Sequence, residues 1–334
     1  MQLLELGLQV ELQSLSSKKI VLLFPGQGSQ YKGMGELIKD DPMASESFEL
    51  ADEALDFSLT DLMFYDPKNQ LNQTEFTQPA IVAHSVALFS MIQETLYMEK
   101  GLQIDYVLGH SVGEYSALVA ARALPFSKAL HFVNKRGQFM QQSVPVGVGG
   151  MAAVLRSTIE IIEAVCTDAS SESEIVMPAN FNAQDQVVIS GHLGAIEKFK
   201  TIIKERDPKA RIMPLKVSAP FHSSLMSEAA KNLDQLIATD DLTPNKFSYI
   251  ANIDAKTYGP KTDPAVVRQN LISQVEGSVR WIQSLESLPI DTAFIEVGPG
   301  KVLSNIVKKA FPDRPILTMD KCEDLLNHPF WNQL

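Results

Sequence analysis

One strand–turn–helix stretch constrains this chain more than any other. The run Ile104-Asp105-Tyr106-Val107-Leu108 reads as a strand, enters Gly109-His110-Ser111-Val112-Gly113, and passes into a helix-like run over residues 114–124. A serine between two glycines at such a turn is a nucleophile elbow. The glycines leave room for a strained backbone, and the turn holds the hydroxyl exposed at the head of the following helix. The five-residue pattern also arises by chance, so its weight comes from the strand before it and the helix after it.

The rest of the chain repeats that alternation. Ile20-Val21-Leu22-Leu23-Phe24 is a continuous apolar run, as expected of a strand buried on both faces of a parallel sheet. It ends in Pro25-Gly26-Gln27-Gly28-Ser29-Gln30, which fails as a dinucleotide loop because Tyr31 stands where the third glycine belongs. A glycine-flanked turn there can instead present backbone N–H groups to a neighbouring site. Thr77-Gln78-Pro79-Ala80 reads as a helix start with proline in the first turn, from which Gln78 either points into a cleft or, as a lone glutamine reads more readily, lies on the surface. Residues 247–253 and 292–297 are further strands, the second leading through Gly298-Pro299-Gly300 into a helix over 302–310. Alternating strands and helices predict an α/β fold with a largely parallel sheet, and its ligands belong at the strands' carboxyl ends, where Gln27, Ser111 and the Gly298 turn fall.

Residues 149–217 interrupt this order. Strand 151–155, helix 157–169, a hairpin of 175–181 and 186–190 turning at 182–185, helix 193–205 and strand 211–217 give the β-α-β-β-α-β order of a ferredoxin-like unit. Asn180 and Asn182 are expected at the hairpin in a structural role. The predicted organisation is an appended segment 1–18, a large domain over 19–148 and 218–310, the inserted unit 149–217, and a tail 311–334. In the first segment, Leu4, Leu6, Leu8, Val10 and Leu12 alternate with mostly polar residues, an edge-strand pattern. That segment is either an appended strand or the end of a linker from a larger polypeptide. Glu5 and Glu11, without early Lys or Arg, argue against a targeting signal.

Charge matters mainly through its distribution. A net charge of −11 over 334 residues argues against a nucleic-acid partner, and no apolar run reaches membrane-spanning length. Two cysteines, Cys166 and Cys322, make no disulfide framework and have no metal-ligand spacing, so no metal site is expected and a reducing compartment is the default. Between residues 115 and 159 there is no Asp or Glu, while Arg122, Lys128, Lys135, Arg136 and Arg156 all fall there. Either the gap is accidental or the region beside the elbow is positive and suited to an anion. Arg136 sharpens the choice. Its helical neighbours Phe132, Val133, Phe139 and Met140 are all apolar, so it rises from a buried face. A buried guanidinium needs a distant carboxylate, a route to water, or the carboxylate of a substrate held in bidentate fashion.

Six histidines are available as a base for Ser111. His110 neighbours it but can turn into the core; His222 follows the proline-constrained Ser218-Ala219-Pro220-Phe221 and lies C-terminal to the serine, as the base does in the nucleophile-elbow order.

Six motifs occur in one order: Phe24-Pro25-Gly26-Gln27-Gly28-Ser29-Gln30, Thr77-Gln78-Pro79-Ala80, Gly109-His110-Ser111-Val112-Gly113-Glu114-Tyr115, Arg136-Gly137 with Phe139-Met140, Phe221-His222, and Glu296-Val297-Gly298-Pro299-Gly300. Together they resemble the malonyl-CoA:acyl carrier protein transacylase family, including polyketide synthase acyltransferases, over roughly residues 19–309. The resemblance implies an α/β-hydrolase-like large domain with a ferredoxin-like insert. It implies Ser111 as nucleophile, His222 as base, the Gln27 and Val112 N–H groups as oxyanion hole, and Arg136 as the malonyl-carboxylate clamp, with Gln78 lining the site. It also implies a backbone carbonyl near Asn252 that orients the histidine. Phe221 before the histidine looks like the polyketide-type enzymes that disfavour branched extender units, which points to a discrete acyltransferase acting in trans. The implied substrates are malonyl-CoA and an acyl carrier protein, with no bound cofactor, in the cytoplasm. Docking an acidic carrier on an acidic chain calls for a local basic patch, for which Lys308, Lys309, Lys204, Arg206, Lys209 and Arg211 are candidates. An acyl hydrolase of the same architecture would need no carboxylate clamp, and a general esterase would add an acidic triad member. A non-catalytic carrier-binding scaffold would need neither Ser111 nor His222.

Overall fold

The computed structural model describes residues 18–217, 219–321 and 327–334. The alternating segment at the amino terminus lies outside the described residues, apart from Lys18. The large sheet is six-stranded, built from β1 (Lys19–Phe24), β2 (Ile104–Gly109), β7 (Ser248–Ile250), β8 (Thr257–Tyr258), β9 (Thr292–Glu296) and β10 (Ile316–Thr318), in the order β10-β9-β1-β2-β7-β8. All neighbours are parallel except β7 with β8. In β1 every residue after Lys19 is buried, which is why Ile20 to Phe24 is an unbroken apolar run. The residues after Ala310, expected as a tail, supply β10, whose Leu317 is buried against the sheet.

Helices cover both faces. Those of the first half are α1 (Pro42–Glu53), α2 (Leu59–Tyr65), α3 (Thr74–Glu94), α4 (Gly113–Ala120) and α5 (Phe126–Gln142). Helix α3 starts three residues before the expected position, so Pro79 sits inside it. Its ring removes one helical donor, and the Glu75 carbonyl accepts from Asn134 Nδ2 on α5 at 2.9 Å in its place. The two helices press close at that point. A Cβ at Gly137 would lie 2.6 Å from Glu75 Cα.

The four-stranded sheet comprises β3 (Gly149–Leu155), β4 (Val176–Ala183), β5 (Gln186–His192) and β6 (Arg211–Pro214), with α6 (Ile159–Ala169) and α7 (Leu193–Arg206) interposed, and its order β4-β5-β3-β6 is that of a ferredoxin-like sheet. Its strands alternate sides: Val154, Phe181 and Ile189 pack with α6 and α7, while Met151, Ala179 and Val188 join the core of the large sheet. The hairpin turns at Gln184-Asp185, so Asn180 and Asn182 stand within β4 and are buried, contrary to the expectation of turn residues. Tertiary contacts outweigh asparagine's turn preference here. Backbone hydrogen bonds Phe181 N to Val279 O (2.9 Å) and Val279 N to Ala179 O (2.8 Å) tie this sheet to the chain that follows α9 (Pro264–Glu276). The remaining helices are α8 (Ser227–Leu236), α10 (Trp281–Glu286) and α11 (Val302–Ala310). No helix among the described residues is long and apolar enough to cross a membrane.

Candidate active site

Ser111 sits in the left-handed region, at φ +53°, in the turn between β2 and α4. The glycines on either side are required by crowding. A Cβ on Gly109 would collide with the Gly113 and Glu114 backbone, and one on Gly113 with the Phe24 and Pro25 carbonyls. Gly26 is likewise pressed against the His110 carbonyl, so the turns after β1 and β2 pack backbone to backbone. The Asn252 side chain clamps the elbow, accepting from Ser111 N at 2.7 Å and donating to Gly109 O at 2.7 Å. A non-glycine residue at positive φ costs free energy and persists only where its surroundings hold it this firmly.

His222 also has positive φ, +56°, and turns Nε2 to 2.7 Å from Ser111 Oγ. Its Nδ1 meets the carbonyl oxygens of Gln274 (2.8 Å) and Gly277 (3.2 Å). Carbonyls only accept, so Nδ1 carries the ring proton and Nε2 offers its lone pair to the serine hydroxyl. Burial, and next the Arg136 charge, push the His222 pKa down to about 3, so the ring is neutral at ordinary pH. This corrects the expectation at Asn252. The histidine is oriented from the end of α9, and Asn252, across the site at the end of β7, holds the serine backbone instead.

Arg136, on α5, is 1% exposed, and among the described residues no carboxylate lies within ion-pair distance of it. Its Nη1 donates to Gln78 Oε1 (2.8 Å), its Nη2 to Gln274 Oε1 (2.9 Å), and Nη2 lies 3.4 Å from Ser111 Oγ. Gln78, inside α3, is buried and not a surface residue, and it lines the cleft. Of the five basic residues in the acid-free stretch, only Arg136 lines the cleft at Ser111. Lys128, just over two turns earlier on α5, is half exposed and pairs with Asp241 at 2.9 Å.

The cleft, about 520 Å³ including its open mouth, is walled by Gln27, Val112, Met140, Met151, Leu215 and Phe221, with Ser111, His222 and Arg136 at its base. Among the described residues, the backbone N–H groups of Gln27 and Val112 have no hydrogen-bond partner. A second cleft adjoins it, running between β4, β5 and α11 and reaching Lys309. Of the basic residues expected to form a docking patch, Lys309 is paired with Asp185 and Arg206 with Asp168.

Three participants were not anticipated. Gln274 gives its carbonyl to His222, its Oε1 to Arg136 and its Nε2 to Ser111 O (2.9 Å) and to Glu114 Oε2 (2.6 Å). Glu114 is fully buried beneath it. Asn182 reaches over from β4 to bond His110 Nε2 at 2.8 Å, so His110 faces the small sheet and not the serine. Gln274 carried a readable signal. It lies three residues after Leu271 and seven after Val267, a polar side chain on the apolar stripe of α9, as Arg136 is on α5.

Residues 21–323 match the family described as acyl transferase domain. A malonyl CoA-acyl carrier protein transacylase of Staphylococcus aureus is 40% identical over 319 residues, covering 94% of this chain and 99% of that one. The crystal structure of an acyl carrier protein S-malonyltransferase from Vibrio cholerae superposes with a TM-score of 0.83 at 37% identity, covering 91% of this chain and 97% of that one. A malonyl-transacylase solved with its type II polyketide synthase acyl-carrier protein matches with a TM-score of 0.83 at 33% identity, over 91% and 96% of the two chains. With this likeness running through both sheets and every element that carries the site, the chain belongs to the malonyl CoA-acyl carrier protein transacylase family.

Proposed function

We propose that this chain transfers a malonyl group from malonyl-CoA to the phosphopantetheine thiol of an acyl carrier protein, through a malonyl ester on Ser111. In the first half-reaction the Ser111 oxygen attacks the thioester carbonyl while His222 Nε2 takes the hydroxyl proton. The carbonyl electron pair moves onto oxygen, where the Gln27 and Val112 N–H groups receive it. The tetrahedral intermediate collapses, the carbon–sulfur bond breaks, and the imidazolium returns the proton to the departing thiolate of CoA. In the second half-reaction the carrier thiol gives its proton to His222 and attacks the Ser111 ester, and the same steps run in reverse order.

Arg136 holds the malonyl carboxylate. The observation that carries the reading is the pairing of a Ser111–His222 hydrogen bond of 2.7 Å with a buried, carboxylate-free guanidinium 3.4 Å from the same oxygen. A hydrolase of neutral acyl groups has no use for the second. Phe221, 7% exposed at the cleft wall, limits room beside the acyl α-carbon and favours an unbranched malonyl unit. In the same reading residues 149–217 form the small subdomain over the acyl site, and the reaction, with malonyl-CoA as donor, is cytoplasmic.

Mass spectrometry of the protein incubated with malonyl-CoA tests this. The expected result is a malonyl adduct on Ser111, absent in Ser111→Ala and discharged only when carrier protein is added. No adduct on the wild-type chain refutes the reading, and equally fast discharge to water without carrier makes the protein a hydrolase.

A further inference from the structure

The transfer chemistry leaves one buried carboxyl group without a task. Glu114, in the first turn of α4, is 1% exposed. Its Oε2 accepts from Gln274 Nε2 at 2.6 Å and from Asn252 N at 3.3 Å, and its Oε1 has no partner among the described residues. Burial pushes this carboxyl up to about 7, against the opposing pull of those two donors and of Arg136. A group this costly to bury needs a structural or chemical reason.

The reason lies in the Gln274 amide, which has one accepting and one donating end. The Arg136 guanidinium only donates, so Oε1 must face it, and an ionised Glu114 only accepts, so Nε2 must face Glu114. The same Nε2 also supports the Ser111 carbonyl at 2.9 Å. Two opposite demands, one at each end, lock the amide. A carboxylate touching Arg136 directly would occupy the edge that a substrate carboxylate needs, as Asp234 occupies Arg268 on the surface at 2.8 Å. With an amide between them, Glu114 can orient the guanidinium and leave its binding edge open.

We infer that Glu114 is a positioning residue that acts through the Gln274 side chain to hold Arg136 in register with an incoming acyl carboxylate. This rests on the reading of Arg136 as the carboxylate clamp. Glu114→Gln keeps the shape but replaces an obligate acceptor with an amide that can present either end, so Gln274 Nε2 is held firmly only by the Ser111 carbonyl and Arg136 has a less fixed acceptor.

The test compares loading of the full chain by malonyl-CoA and by acetyl-CoA, which lacks the carboxylate. In Glu114→Gln the ratio of the two kcat/KM values should fall about tenfold, mainly through a higher KM for malonyl-CoA, the scale of a slightly misplaced binding group. Gln274→Met, which removes the bridge while leaving its backbone carbonyl for His222, should lower the ratio similarly and serves if Glu114→Gln does not fold. In an Arg136→Ala background, Glu114→Gln should change the ratio no further, since both act on one contact. An unchanged ratio in Glu114→Gln, or an equal further fall in the Arg136→Ala background, overturns the inference. If Arg136→Ala alone leaves the ratio unchanged, the clamp reading itself has failed; if it collapses the ratio while Glu114→Gln does not, only the role of Glu114 has.

Discussion

The two sheets meet at one cleft but contribute to it by different means. On the side of the six-stranded sheet Ser111 and His222 are held mainly through backbone groups. Both sit at positive φ, the Ser111 and Gly109 backbone is fixed by the buried Asn252 side chain, and His222 is aimed by two carbonyls. The four-stranded sheet offers side chains instead, with Met151 and Asn180 on the wall and Asn182 bonded to His110. Backbone geometry cannot be adjusted by a neighbour's rotamer, whereas a wall of side chains repacks. Damage to the first should therefore be close to all-or-none, and damage to the second graded.

The sharpest contrast is expected at His222. With the ring removed, no group among the described residues within reach of Ser111 Oγ takes its proton, since Arg136 Nη2 at 3.4 Å only donates. His222→Ala should slow malonyl loading by about 10³-fold or more, as loss of a general base does, with little change in the malonyl-to-acetyl preference. Single-turnover loading with both donors reads this out. A fall of less than about tenfold would mean that the backbone-held pair is not what sets the rate.

Asn182→Ala probes the other sheet. It leaves the half-buried His110 Nε2, which lines the adjoining cleft, without its protein partner, a loss on the order of 1–2 kcal/mol, and loosens the link between β4 and the elbow. The expected outcome is a melting temperature lower by several degrees, with loading reduced less than about tenfold. A loss as large as that of His222→Ala would erase the distinction between the two sheets.

The same distinction explains what could be read before any coordinates. The parallel strands were legible because burial on both faces makes continuous apolar runs, and the elbow was legible because crowding demands glycine at 109 and 113. Arg136 declared itself as a charge on an apolar stripe. Gln274 lies on an equally clear stripe, but an amide there is chemically less conspicuous than a guanidinium. Glu114 stands immediately before the acid-free stretch. Sequence spacing cannot tell a buried carboxylate from a helix-start acid, and only the fold, which brings Gln274 of α9 and the Asn252 backbone against it, gives it neighbours. The carbonyls that orient His222 were beyond sequence altogether, because every residue has one.

The smallest effect on rate should come from acid, and it separates chemistry from folding. An unperturbed imidazole gains its proton near 6.5. His222 is held neutral down to about 3, so the maximal loading rate per folded molecule, at saturating malonyl-CoA, should show no inflection between pH 5 and 8, while protonation of Glu114 near 7 acts on KM. Stability should behave otherwise. His222, His84 (held down to about 4) and His110 (also lowered by burial) all have folded pKa values below their unfolded ones. The unfolded chain takes up protons that the folded chain refuses, so their contribution is full above pH 6.5 and is lost as pH falls below it, each at up to about 1.4 kcal/mol per pH unit. Glu114 runs the opposite way. Its folded pKa, raised to about 7, means the folded chain binds a proton first, so its burial cost is relieved as pH drops from 7 toward 4.5. Wild-type chain and Glu114→Gln should thus differ most in stability at pH 8, with the variant the more stable, and converge near pH 5. Denaturant unfolding at several pH values, beside single-turnover loading at the same values, measures both curves. A loading rate that falls in parallel with stability would show that the histidine at the serine is not insulated from solvent protons, and that the backbone carbonyls alone do not keep it a base.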